Sequence, residues 1–145
     1  MTGAGANRRF IYLLSMAQRR LQQWTQPDAE GLTSAQSGVL FLLDAEVGSP
    51  IGKVAGALGI GPSAISGLVD RMEAVALVRR APEPADGRAV RLFLTDKGGV
   101  AREKAKTRVA AINARLVEGF SEAELDIVAH WLGHVSESFR RDREP

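Results

Sequence analysis

The sequence predicts a mainly α-helical fold carrying one small β-hairpin, and three observations predict it. Apolar residues recur three and four apart over most of the 145-residue chain, the spacing of a single helix face. Within residues 77–95 that spacing gives way to alternation: Val90, Leu92 and Leu94 are interleaved with Arg91 and Phe93, the pattern of a half-buried strand. Directly before it stand two short helical patterns separated by a turn that contains Gly59 and Gly61. Two short helices joined by a tight glycine turn and followed by a hairpin compose a winged helix-turn-helix, here flanked by N- and C-terminal helices.

The elements follow in order. Ile11, Leu14, Ala17, Leu21 and Trp24 line one face of a first helix, which Pro27 ends. Asn7-Arg8-Arg9 ahead of the apolar run Phe10 to Leu14 has the look of a short secretory leader, but the same spacing continues through Trp24, so the segment reads as one amphipathic helix. Thr33-Ser34-Ala35-Gln36 is a capping box, in which the Thr33 hydroxyl accepts from a free backbone N–H and Gln36 reaches back. The helix it starts carries Val39 to Leu43 and is expected to be buried on most sides as the central helix. Ser49-Pro50 is expected to start the next, with serine as cap and proline at the first helical position. Its inner face is Ile51, Val54, Ala55 and Leu58, and Gly59 permits the sharp turn that follows. Gly61-Pro62 starts a fourth helix with Ile65, Leu68, Val69 and Met72 inward and Ser63, Ser66, Gly67, Asp70 and Arg71 outward.

Leu77 and Val78 supply the partner of the Val90–Leu94 strand, with Pro82 and Pro84 stiffening a connecting loop that carries Asp86, Gly87 and Arg88. Thr95-Asp96 caps a long fifth helix with the stripe Ala101, Ala105, Val109, Ile112 and Leu116. Ser121 to Glu124 is a second capping box, opening a last helix with Leu125, Val128, Leu132, Val135 and Phe139 close to a heptad seam. The organisation is therefore residues 1–30 and 96–145 as a helical dimerisation region around a module at 31–95. The terminal stripes have little of their own domain to cover them, and a second subunit would do so.

Composition narrows the function. Nineteen Lys+Arg against seventeen Asp+Glu leave a net charge of +2, so any hold on nucleic acid must come from where the charges sit. The chain has no cysteine, which excludes disulfides, thiolate metal sites, a cysteine nucleophile and thiol redox sensing, and fits a cytoplasmic protein. No apolar run approaches the ~20 residues that span a bilayer, so no membrane partner is expected. No nucleophile, base and oxyanion donor assemble, and no enzyme is expected. Gly59-x-Gly61 lacks the preceding strand and following lysine of a nucleotide loop. His130 and His134 are spaced to share a metal on one helix face, yet only Glu137 stands near as a third ligand. They read as polar positions beside a seam or a pair at a subunit interface, and no metal is assigned.

The charges gather in one place. Arg79, Arg80, Arg88 and Arg91 crowd the hairpin. Arginine suits the narrow minor groove of duplex DNA, where negative potential is concentrated, so a loop tip carrying Arg88 fits that groove. Asp86, two residues earlier, is placed to hold its guanidinium by a charge-assisted hydrogen bond. Arg79, Arg80 and Arg91 are candidates for phosphates. On the preceding helix, Ser63, Ala64, Ser66 and Gly67 are small enough for close approach to base edges in the major groove, and the helix start suits a phosphate.

Leu32-Thr33-Ser34-Ala35-Gln36, the helix pair from Ile51 to Met72, Asp86-x-Arg88 and Leu94-Thr95-Asp96-Lys97-Gly98 together resemble the MarR family of bacterial transcription regulators, over nearly the whole chain. The resemblance implies a homodimer with intertwined terminal helices reading a pseudo-palindromic operator in double-stranded DNA. It implies a recognition helix from about Pro62 to Val75, so that Pro62, Ser63, Ala64, Ser66, Gly67 and Arg71 are its candidate DNA-facing residues, and a minor-groove arginine at Arg88. It also implies repression relieved by a small aromatic or phenolic effector, with no cofactor required. Two positions depart from the family pattern: Gly67, where a basic residue is frequent, and Ala76, where glycine is usual. The alternative reading is a ligand-sensing or protein-interaction module that keeps the fold without binding DNA.

Overall fold

The computed structural model describes residues 9–25 and 31–141, so the expectations for Asn7, Arg8, Pro27 and the tail after Arg141 lie outside the described residues. The chain divides into two compact units, Met1–Glu103 and Lys104–Pro145. The first holds α1 (Phe10–Trp24), α2 (Ser34–Leu42), β1 (Ser49–Pro50), α3 (Ile51–Leu58), α4 (Pro62–Ala74), β2 (Val78–Glu83), β3 (Asp86–Leu94) and the start of α5 (Asp96–Val117). The second holds the remainder of α5 and α6 (Glu122–Arg141). Among the described residues no single helix is long and apolar enough to cross a membrane.

The core sits where α2, α3, α4 and the sheet meet: Val39, Leu40, Leu43, Val54, Ile65, Leu68, Val69, Met72, Leu77, Val78 and Leu92 are all buried. The inward faces of α3 and α4 are those the helical spacing predicts, because residues three and four apart share one side. The chain turns by 110° between α3 and α4, a helix-turn-helix crossing, over Gly59 in the left-handed region at φ 67°. The capping box on α2 is formed as expected, with Gln36 N donating to Thr33 Oγ1 and Thr33 N to Gln36 Oε1.

Three local expectations are corrected. α2 is buried along one side only, since Phe41 and Leu42 remain exposed while Val39 and Leu40 are fully covered. Ser49 does not cap α3. It lies with Pro50 in β1, paired antiparallel with Leu92 and Arg91 of β3, and its hydroxyl accepts from Asp44 N and donates to Leu42 O. Pro50 is therefore the N-cap of α3 rather than its first helical residue. Finally, the hairpin connection is short. β2 runs through Pro82, paired with Val90, so only Pro84 and Ala85 form the turn and Asp86, Gly87 and Arg88 begin β3. Proline is tolerated there because the strand order β1-β3-β2 leaves β2 at the edge, where a missing N–H breaks no ladder on the outer side.

In the second unit, Ser121 and Glu124 form the capping box of α6, with Glu124 Oε2 accepting from both Ser121 N and its hydroxyl. These bonds hold the Glu124 carboxyl below its ordinary pKa.

Candidate nucleic-acid interface

α4 is presented by its two ends. At its start Gly61 is the N-cap, Pro62 occupies the first turn and no side chain caps the free N–H groups. Ser63, Ala64 and Ser66 are exposed beside them, and Gly67 is half-buried. At its end Leu77 N donates to Met72 O and Ala76 N to Glu73 O, both at 2.9 Å, the two bonds of a Schellman turn. Buried Leu77 and Met72 supply the apolar contact of that motif. Ala76 holds the left-handed position at φ 62°, where glycine is the unstrained residue.

The first turn of α5 locks this end. Thr95 Oγ1 donates toward Ala76 O, Thr95 N donates to Leu77 O, and Lys97 Nζ donates to Val75 O at 2.8 Å. Thr95 Oγ1 also accepts from Gly98 N, so one hydroxyl caps α5 and ties it to the turn. A Cβ at Gly98 would stand 1.9 Å from Leu77 O, so only glycine lets the backbones approach this closely. The Leu-Thr-x-x-Gly segment is thus a clamp on the C-terminal end of α4. Periodicity did not show this, because the clamp joins residues some twenty positions apart.

The four hairpin arginines have different surroundings. Arg88 is exposed, and its guanidinium has no partner among the described residues. Its orientation comes through the backbone: Asp86 Oδ1 accepts from Arg88 N at 3.0 Å. That corrects the expectation that Asp86 holds the guanidinium; the carboxylate shapes the turn and leaves the cation outward. Arg79 is exposed and lies over the Phe93 ring, 4.3 Å from its centroid.

Arg80 and Arg91 are engaged within the protein. Arg91 makes a two-pronged pair with Glu83 at 2.8 and 3.2 Å and donates to Val47 O and Gly48 O, tying the hairpin to the loop before β1. The Arg80 guanidinium reaches Asp70 Oδ1 at 2.7 Å, Glu73 Oε1 at 3.1 Å and Ser66 O at 3.2 Å, while its backbone N–H donates to Glu73 Oε2. Burial opposes its charge, but the two carboxylates outweigh burial and the pKa moves above its ordinary value. Asp70 is 63% exposed, so that pair lies in the ~0–1 kcal/mol range of surface ion pairs. Neither guanidinium is positioned as the free phosphate donor that the sequence suggests. Their acidic partners, Asp70, Glu73 and Glu83, were missed as functional residues. Helical spacing sets Asp70 and Glu73 three apart on α4, but only the hairpin register aims Arg80 at them.

Arg71 is exposed, and its Nη1 lies 3.6 Å from where a Gly67 Cβ would stand. The surface over Gly67 therefore carries a guanidinium reaching back from one turn later. No group of three or more metal-binding side chains occurs among the described residues, and His134 Nε2 lies 3.4 Å from Ser138 Oγ.

The sequence profile of the MarR family matches residues 30–89, which cover α2 through the start of β3. The chain is 28% identical to the HTH-type transcriptional repressor MdtR of Bacillus subtilis (strain 168) over 117 residues, 81% of this chain and 76% of that protein. It is 30% identical to the transcriptional repressor CouR, solved bound to a 23-mer DNA duplex, with TM-score 0.76 over 94% of this chain and 98% of that one. The PcaV transcriptional regulator from Streptomyces coelicolor, solved with its natural ligand, is 25% identical with TM-score 0.81, covering 94% of this chain and 98% of that chain. All three are transcription regulators rather than enzymes.

Proposed function

Because this chain belongs to the MarR family of transcription regulators, we propose that it acts as a homodimeric repressor that grips a pseudo-palindromic operator and releases it on binding a small aromatic or phenolic effector. α4 enters the major groove, with Ser63, Ala64 and Ser66 toward base edges and Pro62 and the uncapped helix start toward a phosphate. Arg88 enters the minor groove. Arg79 and Arg71, both exposed, serve phosphates, and the half-site centres lie about one helical turn, ~34 Å, apart.

The observation that carries this reading is the outward Arg88 guanidinium on a hairpin that directly follows a 110° helix-turn-helix. The DNA-bound relative CouR supports it. The dimer draws support from apolar surface in each unit: Ile11 is 84% exposed on α1, and Ile127 and Phe139 are about 70% exposed on α6. The effector draws support from the ligand-bound relative PcaV, and a cytoplasmic location would follow from the DNA partner. Arg71 over Gly67 speaks against a fold that has lost its DNA face. An effector acts only through its differential affinity for the DNA-fitting and non-fitting arrangements.

The test is a mobility-shift titration of Arg88→Ala against wild type over a range of salt. The variant should stay folded, bind at least about tenfold more weakly, and lose close to one unit of salt dependence. Full affinity in the variant would remove the wing from the interface.

A further inference from the structure

Arg80 stands on the opposite face of β2 from Arg79. The register pairs Arg79 with Phe93 and Arg80 with Leu92, so Arg79 shares a face with the partly exposed Phe93 ring and Arg80 the face of fully buried Leu92. From there its guanidinium crosses to α4, meeting Asp70 and Glu73 on successive turns and Ser66 O one turn earlier. Its own backbone N–H completes the tie by donating to Glu73 Oε2 at 2.8 Å. One residue of the wing therefore holds three points along α4, and the last is the backbone of Ser66, whose side chain faces outward.

We propose that Arg80 is a positioning residue for DNA recognition: it fixes the angle of the recognition helix against the wing, so that helix and wing meet adjacent grooves together, and it takes no phosphate. This rests on the DNA-binding reading. It differs from a phosphate contact in a sign that can be measured. A phosphate ligand neutralises backbone charge and displaces counterions, so its loss weakens all sequences alike and lowers the salt dependence. A positioning residue leaves that charge term intact and weakens only the sequence that needs both grooves read at once. Glu73 makes the contrast sharper. On charge alone, removing an acid from a DNA-facing helix and freeing an arginine tightens binding. With Arg80 as a strut, the same change weakens specific binding.

The experiment uses the full chain, a duplex selected by the wild-type protein from a randomised library, and a random-sequence duplex of equal length. Arg80→Gln and Glu73→Ala are compared with wild type, with thermal unfolding showing both folded at the assay temperature. Both variants should bind the selected duplex about tenfold more weakly, the scale of one lost base contact. Random-sequence affinity and the salt slope should stay unchanged in Arg80→Gln and should not fall in Glu73→Ala. Amide exchange in the free protein should quicken over α4 from Ser66 to Glu73 and over the start of β2. Tighter binding of the selected duplex by Glu73→Ala, or a slope that falls by about 0.9 in Arg80→Gln with equal loss on both duplexes, would overturn the proposal. Unchanged exchange in both variants would overturn it too. If the wild-type protein selects no duplex, the DNA-binding reading fails, and the exchange measurement still decides whether Arg80 holds the helix to the strand.

Discussion

Glycine at position 76 should stabilise this protein, against the usual effect of glycine. Ala76 sits at φ 62°, where an L side chain meets the following carbonyl and costs roughly 1–2 kcal/mol. The turn around it is bonded through backbone atoms: Ala76 N to Glu73 O, Leu77 N to Met72 O, and Ala76 O from Thr95 Oγ1. Ala76→Gly keeps every one of these. The methyl that it removes is exposed, so little apolar burial is lost. Against the relief stands the greater freedom of glycine in the unfolded chain, ~0.4–1 kcal/mol. The balance is a gain of about 0.5–1 kcal/mol, or about 1–4 °C in Tm for a chain of this size. Urea unfolding at fixed protein concentration is the assay, since a dimer's midpoint depends on concentration. The midpoint should rise with the slope unchanged. Ala76→Val, β-branched at the same angle, should lower it. A lower midpoint for Ala76→Gly would refute the left-handed turn and the reasoning built on it.

The clamp beside that turn carries the opposite expectation. Gly98→Ala puts a Cβ 1.9 Å from Leu77 O, so the start of α5 must shift and loosen the bonds from Thr95 and Lys97. A loss of about 2–4 kcal/mol should follow, read in the same urea titration, and a neutral result would show that α5 is not seated there. Acid sensitivity is a further outcome. Asp44 accepts from Val47 N and Glu46 N, and Glu124 from Ser121, and both carboxyls lie below their ordinary pKa values of 3.8 and 4.5. A lowered folded pKa means that each carboxylate stabilises the fold above its ordinary value and stops doing so as pH falls through the lowered one. The midpoint gap between wild type and Asp44→Asn or Glu124→Gln should therefore be full at neutral pH and shrink as pH falls below the ordinary values of 3.8 and 4.5; a gap that stays constant on acidification would mean that the carboxylate charge plays no part.

Much of the helical frame was legible because helices announce themselves locally. Thr33 with Gln36, Thr95, and Ser121 with Glu124 each satisfy backbone groups within a few residues, Pro62 brings no N–H to satisfy, and the helices start at these signals. Ser49 misled because a serine-proline pair starts helices and also fits a sheet edge, and the choice was made by β3, some forty residues away. Two nearby prolines look like loop in the sequence, yet Pro82 pairs at an edge that asks nothing of its missing N–H.

The fold class, most helix starts, the inward faces of α3 and α4, and a gathering of arginines on a wing are all written locally in the chain. These follow from spacing and capping, which are local. What each arginine does was decided by the tertiary structure. Arg79 and Arg80 are chemically identical neighbours, and a strand sends them to opposite faces. The two-residue turn at Pro84-Ala85 and the bulge at Pro82/Glu83 set the register, and the register aims Arg80 at Asp70 and Glu73, Arg91 at Glu83, and leaves Arg88 outward. A shift of one residue would have exchanged the inward and outward sets, and no composition or local pattern encodes that shift.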